Sequence, residues 1–256
     1  AQQKLNENAA VMSPRYATVN PAANAGLVEG MKGLFNPTDT ISKQFKNGMM
    51  GTGVLGFDEI NMSQSIKQFT TGSRTATGGT TSAAVTAEGA TTIAITGAGA
   101  NATVKIGDVF TVADCFAVNP QTRESTGSLF QFVATADVTL SGAGAGNITV
   151  APIYSASNAL ATVLTLPATS KAVVFVGTAS TQYPQNLVYH KDAITFATAD
   201  LLLPQGVDMA ARAVHNGISL RVVRQYDINN DRLPCRIDVL YGFNTIRPQM
   251  ACRVWG

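Results

Sequence analysis

The feature that most constrains this chain is a change of texture after Thr70. From Thr71 to Tyr154 the sequence is dominated by Thr, Ala, Gly and Val, with alternating pieces such as "TIAIT" (residues 92–96) and "DVFTV" (residues 108–112). β-branched residues repeating every second position suit a half-buried strand and give no helical stripe. Glycine-rich runs, "TGAGAN" and "SGAGAGN", punctuate them as turns. The stretch therefore reads as an all-β segment of several short strands.

Texture differs on either side. Asn20 before Pro21 forms an N-cap and N1 pair, and Ala22, Ala25, Leu27, Val28, Met31 and Leu34 give a near-helical apolar face. A second start is predicted at Asn36-Pro37, with Ile41 and Phe45 four apart and Gly48 as its stop. "ASNALATVLTLPATS" (residues 156–170) is read as a short helix before the strand "KAVVFVG". Alternation resumes in "NLVYHKDAITFATADLLLP", "GISLRVVRQYD", "CRIDVLYGF" and "MACRV". The layout is a β-rich unit set into the middle of an α+β domain.

Charged residues make up only 13% of the 256, against about 25% in typical soluble proteins. A surface of Thr, Ser, Asn, Gln and Gly has few charges to keep molecules apart and suits a protein packed against others. A net charge of +2 with no Lys/Arg run does not mark a nucleic-acid reader. Three cysteines, Cys115, Cys235 and Cys252, show no C-x-x-C spacing and support neither a disulfide framework nor a zinc site. No signal peptide opens the sequence, and the longest apolar run falls well short of the about 18 residues of a membrane helix, so a soluble chain is expected.

The chemical motifs fail on context. Gly51, Gly53 and Gly56 spell G-x-G-x-x-G, but the dinucleotide fingerprint needs a strand before it, a helix after it and an acidic residue about twenty positions on. "FDEI" after it looks strand-like, and a tight turn explains the glycines better. "DINNDRLPCRID" begins like a calcium loop, yet Arg232 stands where the sharp turn wants Gly, and Asp238 stands where the bidentate Glu belongs. It reads as a hairpin turn. His190 and His215 lie in no hydrolase-like pattern, and His190 is assigned a structural hydrogen bond. No catalytic, cofactor or metal residues are proposed.

Four blocks carry a resemblance: "SPRYATVNPAANAGLVEGMKGLFNP", "FKNGMMGTGVLGFDEI", "NLVYHKDAITFATADLLLP" and "ISLRVVRQYDINNDRLPCRIDVLYGFNTIRPQMACRV". In this order they resemble the major coat proteins of tailed double-stranded DNA bacteriophages, above all the coat-protein family of lambdoid short-tailed phages. The resemblance implies the capsid fold of tailed phages and herpesviruses, α+β with peripheral and axial domains and an inserted β-barrel. Residues 1–72 would form the first part of the capsid core, 73–181 the insert and 182–256 the returning core. It also implies a homo-oligomer of hexamers and pentamers around packaged DNA, with scaffolding and portal proteins as partners and assembly in the bacterial host cytoplasm. In such proteins an arm, a loop and most of a spine helix precede the first block. "AQQKLNENAA" is accordingly expected to be the end of that helix, in a truncated or processed chain.

Because charges are scarce, clusters of them stand out as candidate subunit contacts: Arg123 and Glu124 in "NPQTREST", and Arg221, Arg224, Arg236 and Arg247 among the terminal strands. The rival reading is a Thr-rich module of a phage tail or adhesin that binds a receptor or glycan through an aromatic-lined groove. Phe110, Phe116, Phe130, Phe132, Tyr154 and Phe175 are the aromatics available there, and alternation makes most of them core candidates.

Overall fold

The structure, a computed structural model, describes residues 1–30 and 51–255. Along the chain run α1 (Gln2–Glu7), β1 (Arg15–Val19), α2 (Pro21–Gly30), β2 (Gly51–Val54), β3 (Phe57–Met62) and β4 (Gln68–Thr70). The Thr/Gly-rich stretch carries β5 (Thr80–Thr81), β6 (Ala90–Thr96), β7 (Thr103–Val104), β8 (Val109–Val118), β9 (Ser125–Val133), β10 (Val138–Thr139), β11 (Gly146–Ile153) and β12 (Val173–Phe175). After it come β13 (Gln182–His190), β14 (Ile194–Ala199), β15 (Met209–His215), β16 (Ile218–Arg224), β17 (Cys235–Thr245) and β18 (Ala251–Trp255). Two compact units result: Ala1–His190 with Gln249–Gly256, and Lys191–Pro248.

The first unit is organised by a sheet in the order β18-β13-β1-β3-β2. β1 runs parallel to β3 and antiparallel to β13. The glycine triplet lies in a β2–β3 hairpin: Val54 pairs with Phe57 across Leu55 and Gly56, both with positive φ. Two such residues are what a tight type I′ connection requires. A strand follows the glycines where a nucleotide-binding loop would need a helix.

Arg15 ties the N-terminal segment to this sheet. Its buried guanidinium donates to the carbonyls of Val11 (2.7 Å) and Ala10 (2.6 Å) and to Asn6 Oδ1 (2.7 Å), and its backbone N–H donates to Asp58 (2.7 Å). Burial lowers its pKa, and the acceptors at all three guanidinium nitrogens meet the need of a buried cation for partners. The predicted cap of α2 is in place, with Ala23 N–H donating to Asn20 Oδ1 at 3.1 Å. Of its predicted apolar face, Leu27 and Val28 are half-buried and Ala22 and Ala25 are exposed, while Met31, Leu34 and the second helix start at Asn36 lie outside the described residues.

The chain leaves this sheet at Thr70 and re-enters it at Gln182, and these two residues are register partners in the β4–β13 ladder. Between them, three short sheets (β11-β6-β5, β12-β8-β9 and β10-β7) surround one core. Phe110 lies at its centre, stacked on Phe132 (5.5 Å) and tilted against Phe175 (5.4 Å), with Ile93, Ile95, Ile148, Val150 and Val163 packed around them. The two glycine-rich turns pair with each other: Ala98 N–H donates to Gly144 O and Asn101 N–H to Ser141 O. A Cβ at Gly144 would fall 2.7 Å from the Gly99 nitrogen, so the contact is backbone on backbone.

Residues 156–170 do not form the expected helix. Tyr154 O accepts from Thr162 and Val163 N–H, and Val163 bridges Ala117 of β8 with its side chain wholly buried. Thr162, Val163 and Thr165 are β-branched and Pro167 cannot sit inside a helix, so core packing overrode the Ala/Leu content.

Candidate assembly surface

The Lys191–Pro248 unit is built on an antiparallel sheet in the order β14-β17-β16-β15. Register places Leu220 opposite Val239, Val222 opposite Ile237 and Phe196 opposite Phe243. Because strand side chains alternate, these residues and Tyr241 share one face. That face is open: Phe243 is 76% exposed and Ile237 68%, and Phe196 and Tyr241 stack on each other at 6.1 Å.

The opposite face carries Arg212, Arg221 and Arg236. Arg221 donates to Asp238 (2.5 Å) and to Leu202 O (2.6 Å), and Arg236 donates to the other oxygen of the same carboxylate. These hydrogen bonds, first from Arg221 and then from Arg236, hold the Asp238 carboxyl below the ordinary carboxylate range. Arg212, directly across the ladder from Arg221, is drawn to Asp200 at 3.4 Å, which separates two like charges. Arg224, opposite Cys235 and so on the face of Leu220 and Val222, pairs with Asp208 at 2.9 Å. Thus Arg221, Arg224 and Arg236 are engaged within the subunit. Arg247 is exposed, its backbone N–H donating to Ala193 O.

Arg123 and Glu124 sit at the exposed tip of the β8–β9 hairpin. Asn119 shapes the tip: its side-chain oxygen accepts from Gln121 and Thr122 N–H, its N–H donates to Glu124 O, and its carbonyl accepts from Arg123, which has positive φ. The calcium-like stretch is a hairpin turn in which Asp227 bridges Arg232 and accepts from Asn229 N–H and Asn230. Among the described residues no cluster of metal-ligating side chains occurs. His190, buried in β13, lies 3.4 Å from the Ser13 carbonyl. No described helix is long and apolar enough to cross a membrane.

Sequence reasoning missed a buried ion pair at the root of the Thr/Gly-rich segment. Arg74 and Asp108, both with no exposed side-chain surface, meet at 3.3 Å. Asp108 also accepts from Gly72 N–H (3.0 Å) and Lys105 N–H (2.8 Å), and Arg74 donates to Val176 O (2.8 Å) and Gly177 O (3.2 Å). The scarcity of charge that drew attention to Arg123 also applied to these two.

A family model described as P22 coat protein, gene protein 5, matches residues 4–254. The chain belongs to the P22 coat protein family. No curated protein matches it. As a member, it is a structural protein of a bacteriophage virion, the major capsid protein, which works as one of many copies in the shell. Nothing supports the tail or adhesin alternative for this coat protein. Of the aromatics that would line its groove, Phe110, Phe132 and Phe175 are buried and Phe116, Phe130 and Tyr154 half-buried.

Proposed function

We propose that this coat-protein subunit assembles into hexamers and pentamers that close an icosahedral head around double-stranded DNA, and that it acts by assembly and catalyses no reaction. The family match over residues 4–254 carries this reading. In it the sheet of the first unit and helices α1 and α2 belong to an α+β capsid core of the tailed-phage type, and residues 73–181 are an inserted β-barrel. Supporting this are the exit and return of the chain at paired residues Thr70 and Gln182 and the separate core around Phe110.

Assembly takes place in the bacterial host cytoplasm with scaffolding and portal proteins. Contact with the packaged DNA is weak and non-specific, in keeping with a net charge of +2. Intersubunit contacts, each weak alone, add up through cyclic closure. Arg123 and Glu124 at the hairpin tip and Arg247 contact neighbours directly, Arg221 and Arg236 contribute through the charged face they build, and Arg224 contributes from the border of the apolar face.

Electron microscopy and mass photometry of the coat protein expressed with its scaffolding protein test this. Shells are expected from the wild type, and R123A with E124A is expected to slow their formation. Monomers under all conditions would refute the assembly reading, and normal shells from the double variant would refute only the assignment of the tip.

A further inference from the structure

The last strand does more than close the edge of the core sheet. Two of its side chains reach into the Thr/Gly-rich segment. Arg253 donates to Gly107 O at 2.5 Å, in the turn before β8, and its guanidinium lies over the rings of Phe69 (5.5 Å) and Trp255 (5.1 Å). Trp255 stacks on Tyr183 at 5.1 Å and 14°, and its indole N–H donates to Gln185.

Each of these side chains rests on a glycine of the segment. A Cβ at Gly107 would lie 3.2 Å from Arg253 Nη1 and 3.3 Å from the Phe69 ring. At Gly177 it would lie 2.9 Å from Trp255 and 3.0 Å from Tyr183. Both glycines have positive φ, +96° and +80°. Their carbonyls tie the two seats together through charge: Gly107 O accepts from Arg253, and Gly177 O accepts from Arg74, the partner of Asp108. Gly107 and Asp108 are neighbours in sequence, so the peg and the buried ion pair hold the same turn.

We propose that β18 is a two-pronged peg whose Arg253 and Trp255 seat in glycine-floored sockets at Gly107 and Gly177 and thereby fix the orientation of the 72–181 segment on the core sheet. This makes the ordering of that segment depend on the final residues of the chain, and it is independent of how subunits assemble. The backbone ladder of β18 with β13 provides the edge, and the two side chains provide the grip.

Filling a socket while keeping β18 intact is the test, and the chain contains its own control. Gly127 also has positive φ, +77°, but a Cβ there would meet nothing within 4 Å. Gly127→Ala therefore carries backbone strain comparable to that of Gly177→Ala without the collision. Trp255 is the sole tryptophan, so its emission reports the seat directly. Gly177→Ala is expected to change Trp255 emission and to speed hydrogen exchange of the Gly72, Gly107 and Asp108 amides by at least about tenfold, whereas Gly127→Ala changes neither.

Should Gly177→Ala fail to fold, Phe69→Leu gives a second reading. It removes the ring under Arg253 and is expected to speed exchange in the 105–108 turn while leaving β13 protected. Equal effects from the Gly177 and Gly127 variants, or exchange in Phe69→Leu that changes only along β13 and β18, would overturn the proposal.

Discussion

Asp108 accepts hydrogen bonds from two backbone amides and faces Arg74, and neither charged side chain has exposed surface. Removing one partner of such a pair leaves the other as an uncompensated buried charge, which costs about 3–5 kcal/mol. Asp108→Ala is expected to show a loss of this size in urea unfolding, and Arg74→Met with Asp108→Leu together a smaller one. Cys115 offers a pH test. Burial, with a smaller push from Asp114, raises its thiol from 9.0 to about 11. From pH 9 upward the unfolded chain releases this proton while the folded chain keeps it, so stability falls between about pH 9 and 11. Cys115→Ala is expected to lack that part of the decline in pH-dependent melting. Under native conditions the exposed Cys235 is expected to react first with a thiol reagent and Cys115 only after unfolding.

At the scale of elements, the core around Phe110 joins three sheets too short to be stable singly. Phe110→Ala is expected to cost about 3–5 kcal/mol in the same unfolding measurement. Most strands were legible beforehand because Thr, Val and Ile alternate against glycine turns, and the Asn20 cap was legible because its chemistry is local. The failed helix at 156–170 shows the limit. Its residues are helix-tolerant one by one, and what decides is that Val163 fills a space in a core built by residues remote in sequence. The Arg74–Asp108 pair was hidden for the same reason, since no spacing rule links charges 34 positions apart that meet only when two turns close. The arginines of the terminal strands were visible as a cluster, yet their pairing with Asp200, Asp208 and Asp238 depends on cross-strand register and loop path.

For the molecule as a whole, the scarcity of charge has an unequal geography. Four of the ion pairs among the described residues lie in the Lys191–Pro248 unit; those of Arg212, Arg221 and Arg236 mark one face of its sheet, and the other face presents Phe196, Ile237, Val239, Tyr241 and Phe243, with Arg224 at its end. An apolar face of this kind binds hydrophobic dyes and invites association. Ile237→Thr with Phe243→Ser is expected to reduce dye fluorescence markedly, while changing the unfolding midpoint little because these side chains are already exposed.

The pairing of Thr70 with Gln182 carries a modular meaning as well as a mechanical one. A chain that departs and returns at the two ends of one rung leaves the sheet nearly indifferent to the length of the excursion, since closing a longer loop costs only about 0.6 kcal/mol per doubling. If residues 73–181 are the inserted domain proposed above, the sheet serves as a dock for a cassette: what lies between the two partners can be lengthened or trimmed at little cost to the sheet, provided β18 still finds its sockets.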